Sequence, residues 1–263
     1  MNTHAPDMAA YESLIAFWHD AGVDACYLDA PVDHTEILPL PTPAAVQKLA
    51  AVPTQRAPKG TTNGAQGAAI ARQVAAQADS LDALIEAVKG FEGCGLKHMG
   101  AKNTLFGRGN PNAELLVIGD APSTDADMAG EAFRSPAGQM LDRILDAAKL
   151  SERAYLTHSV FWNPPGNRPP TPEEQASCLP FLERAVQLIQ PKAVLLVGSV
   201  AVKGILETDE SLLRIQGNWR EWTTSDGITL PAMVTFHPAF LLQQPQAKGL
   251  VWQSILSVCT RLS

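Results

Sequence analysis

Residues 114–119 read ELLVIG and residues 193–198 read AVLLVG, two short apolar runs that each end at a glycine. Runs of this length and composition are typical of strands that are buried on both faces. Amphipathic helices are predicted over 138–149 and over 172–190, so strand and helix alternate along the chain. The alternation predicts an α/β domain: a three-layer α/β/α sandwich around a mostly parallel central sheet.

The same alternation continues on both sides of these runs. Further strands and helices are predicted at 154–160, 199–207, 232–236 and 249–262. The helix over 172–190 has a clear start, because Thr171 followed by Glu174 three residues later is the pattern of a capping box. The glycine-rich stretch 107–112 precedes a strand and lacks the Lys-Ser/Thr pair of a phosphate loop, so it is predicted to be a turn.

The N-terminal third has a different composition. Residues 11–21 have the apolar spacing of a short amphipathic helix, and Ser80 is a candidate N-cap for a later one. Proline, alanine, threonine and glycine dominate between them, a composition that cannot bury enough apolar surface to offset its ordering entropy. The predicted organisation is an N-terminal helical extension (1–40), a flexible linker (41–67), a connecting helix (68–90) and the main α/β domain (91–263).

Composition and charge limit the classes of protein. The chain has 263 residues, a net charge of −7, four scattered cysteines and no long apolar run, so we expect a cytoplasmic monomer that does not enter a membrane. Residues 91–263 contribute only −2 of the charge, because most of the acidic excess lies before them. A nearly neutral domain can still bind a polyanion through a local patch of cations, so nucleic acid is neither indicated nor excluded.

Polar residues follow several of the predicted strands, where ligands of parallel α/β folds bind. Asp120 follows the first strand, and His237 follows the strand at 232–236. The proline-rich loop after the strand at 154–160 carries Asn167 and Arg168. The sequence therefore predicts one crevice with a carboxylate, a histidine and a stiff loop.

The order and spelling of these segments resemble the uracil-DNA glycosylase superfamily, most closely its iron-sulfur branch, known as family 4. The resemblance covers about residues 91–259 and rests on collinear motifs: FGRGNPNA (106–113), GDAPS (119–123), GEAFRSPAGQMLD (130–142), YLTHSVFWNPPGNRPPTPEE (155–174), CLPFL (178–182), QPKAVLLVG (190–198) and HPAFLL (237–242). It implies an enzyme of DNA repair that flips a uracil nucleotide out of DNA and hydrolyses its N-glycosidic bond.

The resemblance also implies roles for single residues. Asp120 and His237 occupy the catalytic positions, and Phe133 occupies the position that stacks on the base. Four further residues are implied to contact the substrate: Ala121, His158, Asn167 and Arg168. Leu241 and Leu242 are implied to form an apolar wedge that enters the space the flipped base leaves in the DNA stack. The chain departs from the family at several of these places, with Asp120 for a glutamate and His158 for an asparagine.

The resemblance implies a cofactor that the residues do not support. Family members hold an iron-sulfur cluster on four cysteines, and the corresponding positions here are Phe91, Cys94, Trp162 and Cys178. Two thiolates cannot hold a cluster that needs four ligands, so we expect no cofactor, with Cys94 and Cys178 as vestigial positions. A zinc site on Cys94, Cys178 and His98 is an alternative with three ligands.

Structural alternatives stay open for the site residues. Asp120 can cap a helix, His237 can bond a backbone carbonyl, Phe133 and His158 can be core residues, Arg168 can hold its own loop, and Leu241 and Leu242 can pack inside. Two functional alternatives also stay open. One is a catalytically weak or inactive binding module of the same fold, for nucleic acid, a nucleotide or a partner protein, and the other is a glycosylase for a different damaged base.

Overall fold

A computed structural model describes residues 64–263 as a six-stranded sheet covered by helices on both faces. The helix predicted over 11–21 and most of the linker predicted over 41–67 lie outside the described residues. The α-helices are α1 (Gly64–Ala76), α2 (Leu81–Gly90), α3 (Thr124–Ala129), α4 (Pro136–Ala147), α5 (Pro172–Ile189), α6 (Ser199–Leu206), α7 (Leu212–Ile215), α8 (Pro238–Gln243) and α9 (Lys248–Leu262). The strands are β1 (Gly107–Gly109), β2 (Leu115–Gly119), β3 (Ala154–His158), β4 (Ala193–Val197), β5 (Trp219–Thr223) and β6 (Thr229–Thr235).

The sheet confirms the predicted fold class. Its strand order is β1-β3-β2-β4-β6-β5. The four central strands are parallel, whereas β1 and β5 run antiparallel at the two edges. Strands β2, β3 and β4 are buried along their whole length, as their continuous apolar runs require.

Each face of the sheet has its own apolar core. On one face, α1, α2, α5 and α6 pack on alternate residues of the strands, such as Leu116 and Leu196. On the other face, α4, α8 and α9 pack on the residues between them, such as Val117 and Leu195. The period of two along each strand thus assigns every strand residue to one layer of the sandwich.

Two predicted helix starts are confirmed. Thr171 accepts a hydrogen bond from the amide of Glu174, and the Glu174 side chain accepts one from the amide of Thr171, which completes the capping box of α5. Ser80 caps α2 by accepting from the amide of Ala83. Both motifs satisfy amides that the first helical turn leaves without partners.

Some boundaries differ from the sequence predictions. Residues 64–67, predicted in the linker, begin α1, and the connecting helix predicted over 68–90 is two helices separated at residues 77–80. The prediction of a turn over 107–112 is wrong for its first half, because Gly107–Gly109 forms the edge strand β1. Three residues carry too little periodic signal to be recognised as a strand from sequence. Within residues 64–263, no helix is both long and apolar enough to cross a membrane.

Candidate active site

Asp120 follows β2 directly and is held by the first turn of α6. Its Oδ1 accepts hydrogen bonds from the amides of Val200 and Ala201, both at 2.9 Å. Its backbone carbonyl accepts a further hydrogen bond from the amide of Ser159 at 3.0 Å. The free amides of a helix start attract negative charge, so α6 fixes one carboxylate oxygen and leaves Oδ2 for other partners.

A glycine allows this close approach. Gly198 precedes α6 with φ of +109°, and a Cβ at this position would overlap the Asp120 carboxylate. A side chain here would therefore meet both backbone strain and a steric clash. The contact that positions Asp120 joins residues about 80 positions apart in sequence, so no local pattern reveals it.

His237 begins α8 and acts as its N-cap. Its Nδ1 accepts a hydrogen bond from the amide of Ala239 at 3.2 Å. A neutral imidazole with an accepting Nδ1 carries its proton on Nε2, so the remaining nitrogen is a donor. The histidine is thus both a helix cap and a fixed hydrogen-bond donor at the end of β6.

Asp120 and His237 line the same cleft at the carboxyl ends of β2 and β6. The cleft has a volume of about 500 Å³ and is lined by Asp120, Gly198, Ser199, Lys203, Asp209, Ser211, Leu212, Leu213, Phe236, His237 and Phe240. Burial raises the pKa of Asp120, while the nearby charge of His237 and the α6 amides act in the opposite direction. Burial likewise lowers the pKa of His237, opposed by the charge of Asp120. The environment therefore favours a neutral imidazole beside a carboxyl group that is protonated more easily than usual.

The structure brings Phe133 and His158 together, but their rings stack on each other and do not line an open pocket. Their rings stack with centroids 4.0 Å apart and planes 16° from parallel. The exposed fractions are 4% for Phe133 and 3% for His158, so neither ring faces open solvent. Burial lowers the pKa of His158 to about 3, and the charges of His237 and Arg108 act in the same direction. The imidazole is therefore neutral in the folded protein near pH 7, and neither ring nitrogen has a hydrogen-bond partner in the part of the chain that the structure describes.

The register of the sheet explains where this stack lies. Gly119 is paired with His158 on one side and with Val197 on the other, and Val197 is paired with Thr235. Directly paired residues of parallel strands point to the same face, so these positions form one row at the carboxyl edge. The Phe133 ring fills the space that Gly119 leaves, since a Cβ there would lie 2.7 Å from Phe133 Cζ.

Sequence reasoning missed most of the cleft, and it did not single out Thr235, which is not among the residues that line the cleft. The Oγ1 of Thr235 is buried without a hydrogen-bond partner, at the end of β6 and two residues before His237. Its position directly before the FHP segment is the one sequence signal that could have pointed to it. Ser199 and Lys203 reach the cleft only because α6 starts beside Asp120, which the sequence does not show.

Comparison with known proteins agrees with this arrangement of strand ends. The family model of the uracil DNA glycosylase superfamily matches residues 106–256. This range includes β2, α6 and α8, and with them Asp120 and His237 of the cleft. The chain belongs to this superfamily.

Relatives from three organisms carry the name Type-4 uracil-DNA glycosylase. The protein of Thermotoga maritima is 30% identical over 165 residues, which are 62% of this chain and 83% of that protein. The protein of Archaeoglobus fulgidus is 32% identical over 178 residues, 65% of this chain and 87% of the relative. The protein of Pyrobaculum aerophilum is 30% identical over 176 residues, which are 64% of this chain and 88% of that protein.

In this member of the superfamily, the proline-rich loop uses its polar residues internally. The Arg168 guanidinium makes a bidentate pair with Glu174, at 2.9 Å and 2.6 Å, and it also donates to the carbonyl of Pro169. Asn167 accepts hydrogen bonds from the amide and the hydroxyl of Thr124 through its Oδ1. Both contacts match the structural alternative, so the substrate contacts of these two residues stay predictions.

The two leucines of the predicted wedge have different environments. Leu241 is fully buried in the core between α8 and the sheet, so its assignment to a DNA wedge is wrong. Leu242 is 46% exposed, and Phe240 is exposed on the same short helix at the edge of the cleft. A helix of period 3.6 turns neighbouring residues to different sides, which separates Leu241 from Leu242. Ala121 is half-buried after Asp120 and packs against the core.

The four positions that correspond to the family's cluster ligands do not provide four ligands. Cys94 and Cys178 are both buried free cysteines, and they supply only two thiols. Phe91 packs edge-on against Phe181 with ring centroids 5.0 Å apart. Trp162 is fully buried, and its Nε1 donates to Thr104 Oγ1 at 3.1 Å. An aromatic ring cannot replace a thiolate, so these residues do not fit the cluster.

The zinc alternative also lacks support in residues 64–263. His98 is exposed and its Nε2 lies 2.8 Å from Oε2 of Glu92. No group of three or more metal-ligating side chains is found in this part of the chain.

Proposed function

We propose that this protein is a uracil-DNA glycosylase that hydrolyses the N-glycosidic bond of a flipped-out uracil. The observation that carries the proposal is the shared cleft of Asp120 and His237, each fixed by a helix start and each left with one free polar atom. The names of the relatives supply the substrate class.

His237 acts on the departing base. When the bond between the sugar carbon and the base nitrogen breaks, both electrons go to the base, and a base oxygen becomes negative. The Nε2–H of a neutral His237 donates a hydrogen bond to that oxygen. Because the imidazole is already fixed by its cap on α8, the donor needs little reorganisation as the charge develops, which is where such donors contribute most.

Asp120 acts on the sugar. Loss of the base leaves an oxocarbenium-like cation, which the Asp120 carboxylate stabilises through Oδ2 while α6 holds Oδ1. The same oxygen orients a water molecule, whose oxygen forms the new bond to the sugar carbon and whose proton balances the charge of the base. The products are free uracil and an abasic site in DNA.

The same proposal assigns the DNA contacts and the state of the protein. Leu242, exposed on α8, is the part of the wedge that can enter the emptied base stack, and Lys203 at the cleft is placed to contact a phosphate. We propose a cytoplasmic monomer that works without an iron-sulfur cluster. Size-exclusion chromatography with light scattering tests the oligomeric state, and cell fractionation tests the location.

The proposed reaction is tested by cleavage of a labelled oligonucleotide with one uracil, single-stranded or opposite guanine, at low salt. Asp120→Asn and His237→Ala are each expected to reduce cleavage by about 10²-fold or more. Asp209→Asn is the matched control, because Asp209 lines the same cleft and has no assigned role. Equal cleavage by wild type and both site variants would contradict the assignment of the pair.

One observation favours a second candidate, a binding module with weak or no catalysis. The ring expected to stack on the base is covered by His158, so the site as it stands does not present an open base pocket. A folded wild type that binds uracil DNA without cleaving it would support this candidate. Cleavage of an oligonucleotide carrying another damaged base, but not uracil, would support the alternative substrate.

A further inference from the structure

The stack of His158 on Phe133 has an unusual composition for a buried pair. Phe133 brings an ordinary apolar ring, whereas the imidazole brings two polar nitrogens into a site with almost no exposure. Buried polar atoms in folded proteins nearly always have a hydrogen-bond partner, because leaving one unpaired is costly. Neither Nδ1 nor Nε2 of His158 has one.

Within residues 64–263, no hydrogen bond holds the imidazole in this place. Its neighbours are the Phe133 ring on one side and the backbone of Gly119, where a Cβ would lie 3.3 Å from His158 Nδ1. The ring is therefore retained by stacking and apolar packing alone. Rotation of this side chain would break no hydrogen bond within the described residues and could bring two unpaired nitrogens to new partners.

The position of the stack excludes a base from the same face of Phe133. Gly119, which pairs with His158 in the sheet, is directly followed by Asp120 of the cleft. A planar base stacks on an aromatic ring at about the separation that the imidazole has now. One face cannot hold both rings, so the imidazole stands where a planar ligand next to Asp120 would lie.

We propose that His158 closes the base pocket in the free protein, and that a pyrimidine base stacks on Phe133 only after the imidazole has left that face. Once displaced, the imidazole offers one donor and one acceptor to the edge of the base, which satisfies its two unpaired nitrogens. His158 thereby determines which ligands enter the pocket. A ligand that enters must replace the stacking of the imidazole on Phe133 and the apolar contacts that the imidazole makes. The proposal rests on the proposed function for the identity of the base as uracil.

Binding of free uracil, measured by calorimetry, tests this closure without any cleavage. His158→Ala removes the ring, and His158→Asn keeps one donor and one acceptor on a shorter side chain. His158→Asn is expected to bind uracil about threefold to tenfold more tightly than wild type, since the base no longer displaces a stacked ring while a donor and an acceptor remain. His158→Ala, which lacks both polar groups, is expected to bind uracil more weakly than His158→Asn. His98→Asn is the matched control, because this exposed histidine contacts Glu92 and is expected to leave binding unchanged. Thermal melting shows that each variant is folded.

Proton NMR of the histidine ring gives a second readout on the wild-type protein. Stacking on Phe133 at 4.0 Å predicts upfield-shifted ring protons for His158 in the free protein. Saturating uracil is expected to move these signals toward the values of an unstacked histidine. Binding of uracil with no change of the signals would overturn the proposal, because the base would then occupy another place.

The outcomes separate this inference from the proposed reaction. Tighter uracil binding by His158→Asn supports closure, even if no form of the protein cleaves uracil DNA, in which case only the proposed reaction fails. Equal or weaker binding by folded His158→Asn overturns closure, even if wild type is an active glycosylase. A wild type and variants that all fail to bind uracil overturn closure as well.

Discussion

At the scale of single residues, the site depends on polar groups whose environments differ within a short distance. Asp120 and His237 each have a backbone partner and share a cleft, whereas His158, on the strand beside Asp120, has no hydrogen-bond partner among residues 64–263. Burial disfavours the charged form of all three side chains. Nearby groups oppose this effect on the pKa of Asp120 and of His237, whereas the charges near His158 act in the same direction as burial. These differences lead to two predictions about pH.

The stability of the protein is expected to depend on His158 in mild acid. The pKa of His158 is about 3 in the folded protein, compared with about 6.5 for an unfolded histidine. As pH falls from 6.5 toward 3, the unfolded chain binds a proton that the folded protein does not, so stability is lost. In urea unfolding of wild type, the free energy of unfolding is expected to be about 2 kcal/mol lower at pH 5 than at pH 7 because of His158. This contribution is expected to be absent in His158→Asn. An identical pH dependence in both proteins would show that His158 is accessible to protons in the fold.

The rate of uracil release is expected to fall as the pH is lowered, and this fall is expected to begin at a higher pH than for an ordinary aspartate. Burial raises the pKa of Asp120, and the proposed reaction needs its ionised form. The acid limb of kcat/KM is therefore expected above the ordinary aspartate value of about 3.9. His237 does not oppose this, because its lowered pKa keeps the required neutral form to a lower pH than usual. A pH profile between 4 and 9 checks this, and a limb at or below about 3.9 would contradict it.

At the scale of elements, two helix starts build the site. Helix α6 begins at Ser199 and offers its amides to Asp120, and α8 begins next to His237, which is its cap. Both helices follow strands of the parallel sheet directly, which places their N-termini at the carboxyl edge. The fold thus brings a carboxylate and a histidine together from distant parts of the chain.

The glycine before α6 is expected to be essential for activity beyond its effect on stability. Gly198→Ala places a Cβ against the Asp120 carboxylate and displaces it, so kcat is expected to fall by about 10²-fold. Gly100→Ala is the matched control: Gly100 has a similar φ of +100°, but a Cβ there meets nothing within 4 Å. Both variants are expected to lose about 1–2 kcal/mol of stability from the left-handed backbone. A kcat reduced equally in the two variants would show that backbone strain, and not the clash, is responsible.

The proline-rich loop gives a prediction that separates structure from DNA contact. Arg168 pairs with the nearly buried Glu174 at the start of α5, so Arg168→Ala is expected to cost about 1–2 kcal/mol of stability. If the guanidinium serves only the loop, the salt dependence of DNA binding is expected to stay that of wild type. Lys203→Ala is the comparison, with an expected slope reduced by about one unit. A reduced slope in Arg168→Ala would instead assign a phosphate contact to Arg168.

At the scale of the whole molecule, two apolar cores hold the sheet between helices, and one of them contains the positions that correspond to the family's cluster ligands. Phe91, Trp162 and Cys178 lie in the core formed with α1, α2 and α5. Aromatic contacts there join α5 to two other segments, since Phe181 packs against Phe91 before β1 and against Phe161 after β3.

The purified protein is accordingly expected to fold without iron. Its absorbance is expected to show no band near 400 nm, and an iron assay is expected to find far less than one iron per chain. Thermal melting with and without a chelator is expected to give the same transition, since no described residue set supports a cluster. A brown protein with about four irons per chain would contradict this.

The sequence predicted much of the fold because its signals are local. The apolar runs of β2 and β4 and the capping box at Thr171 each lie within a few residues, and the structure confirms them. The edge strand β5 was not predicted, since its burial alternates only weakly over five residues. The helices predicted over 138–149, 172–190, 199–207 and 249–262 have ends that differ from the prediction by at most two residues, as is common where caps decide the boundary. The helix predicted over 68–90 differs more, because it begins four residues earlier and is two helices.

The candidate site was predicted less completely. Asp120 and His237 could be placed near each other from their positions after parallel strands, because such strands end at one edge. Leu241 could not be told from Leu242, since the side of α8 that faces the core depends on how that helix packs. The bidentate pair of Arg168 with Glu174 is close in sequence, yet its geometry depends on the turn between them.

The sequence by itself determined the fold class, the superfamily and the residue types at the strand ends, since these depend on local patterns and collinear motifs. Only the tertiary structure decided that α6 holds Asp120, that Leu241 is in the core and that His158 covers Phe133. The physical reason is the range of the interactions: strand and helix patterns are set by neighbours in the chain, whereas these contacts join residues from different elements after packing. Their energies depend on distances and burial that a linear sequence does not contain.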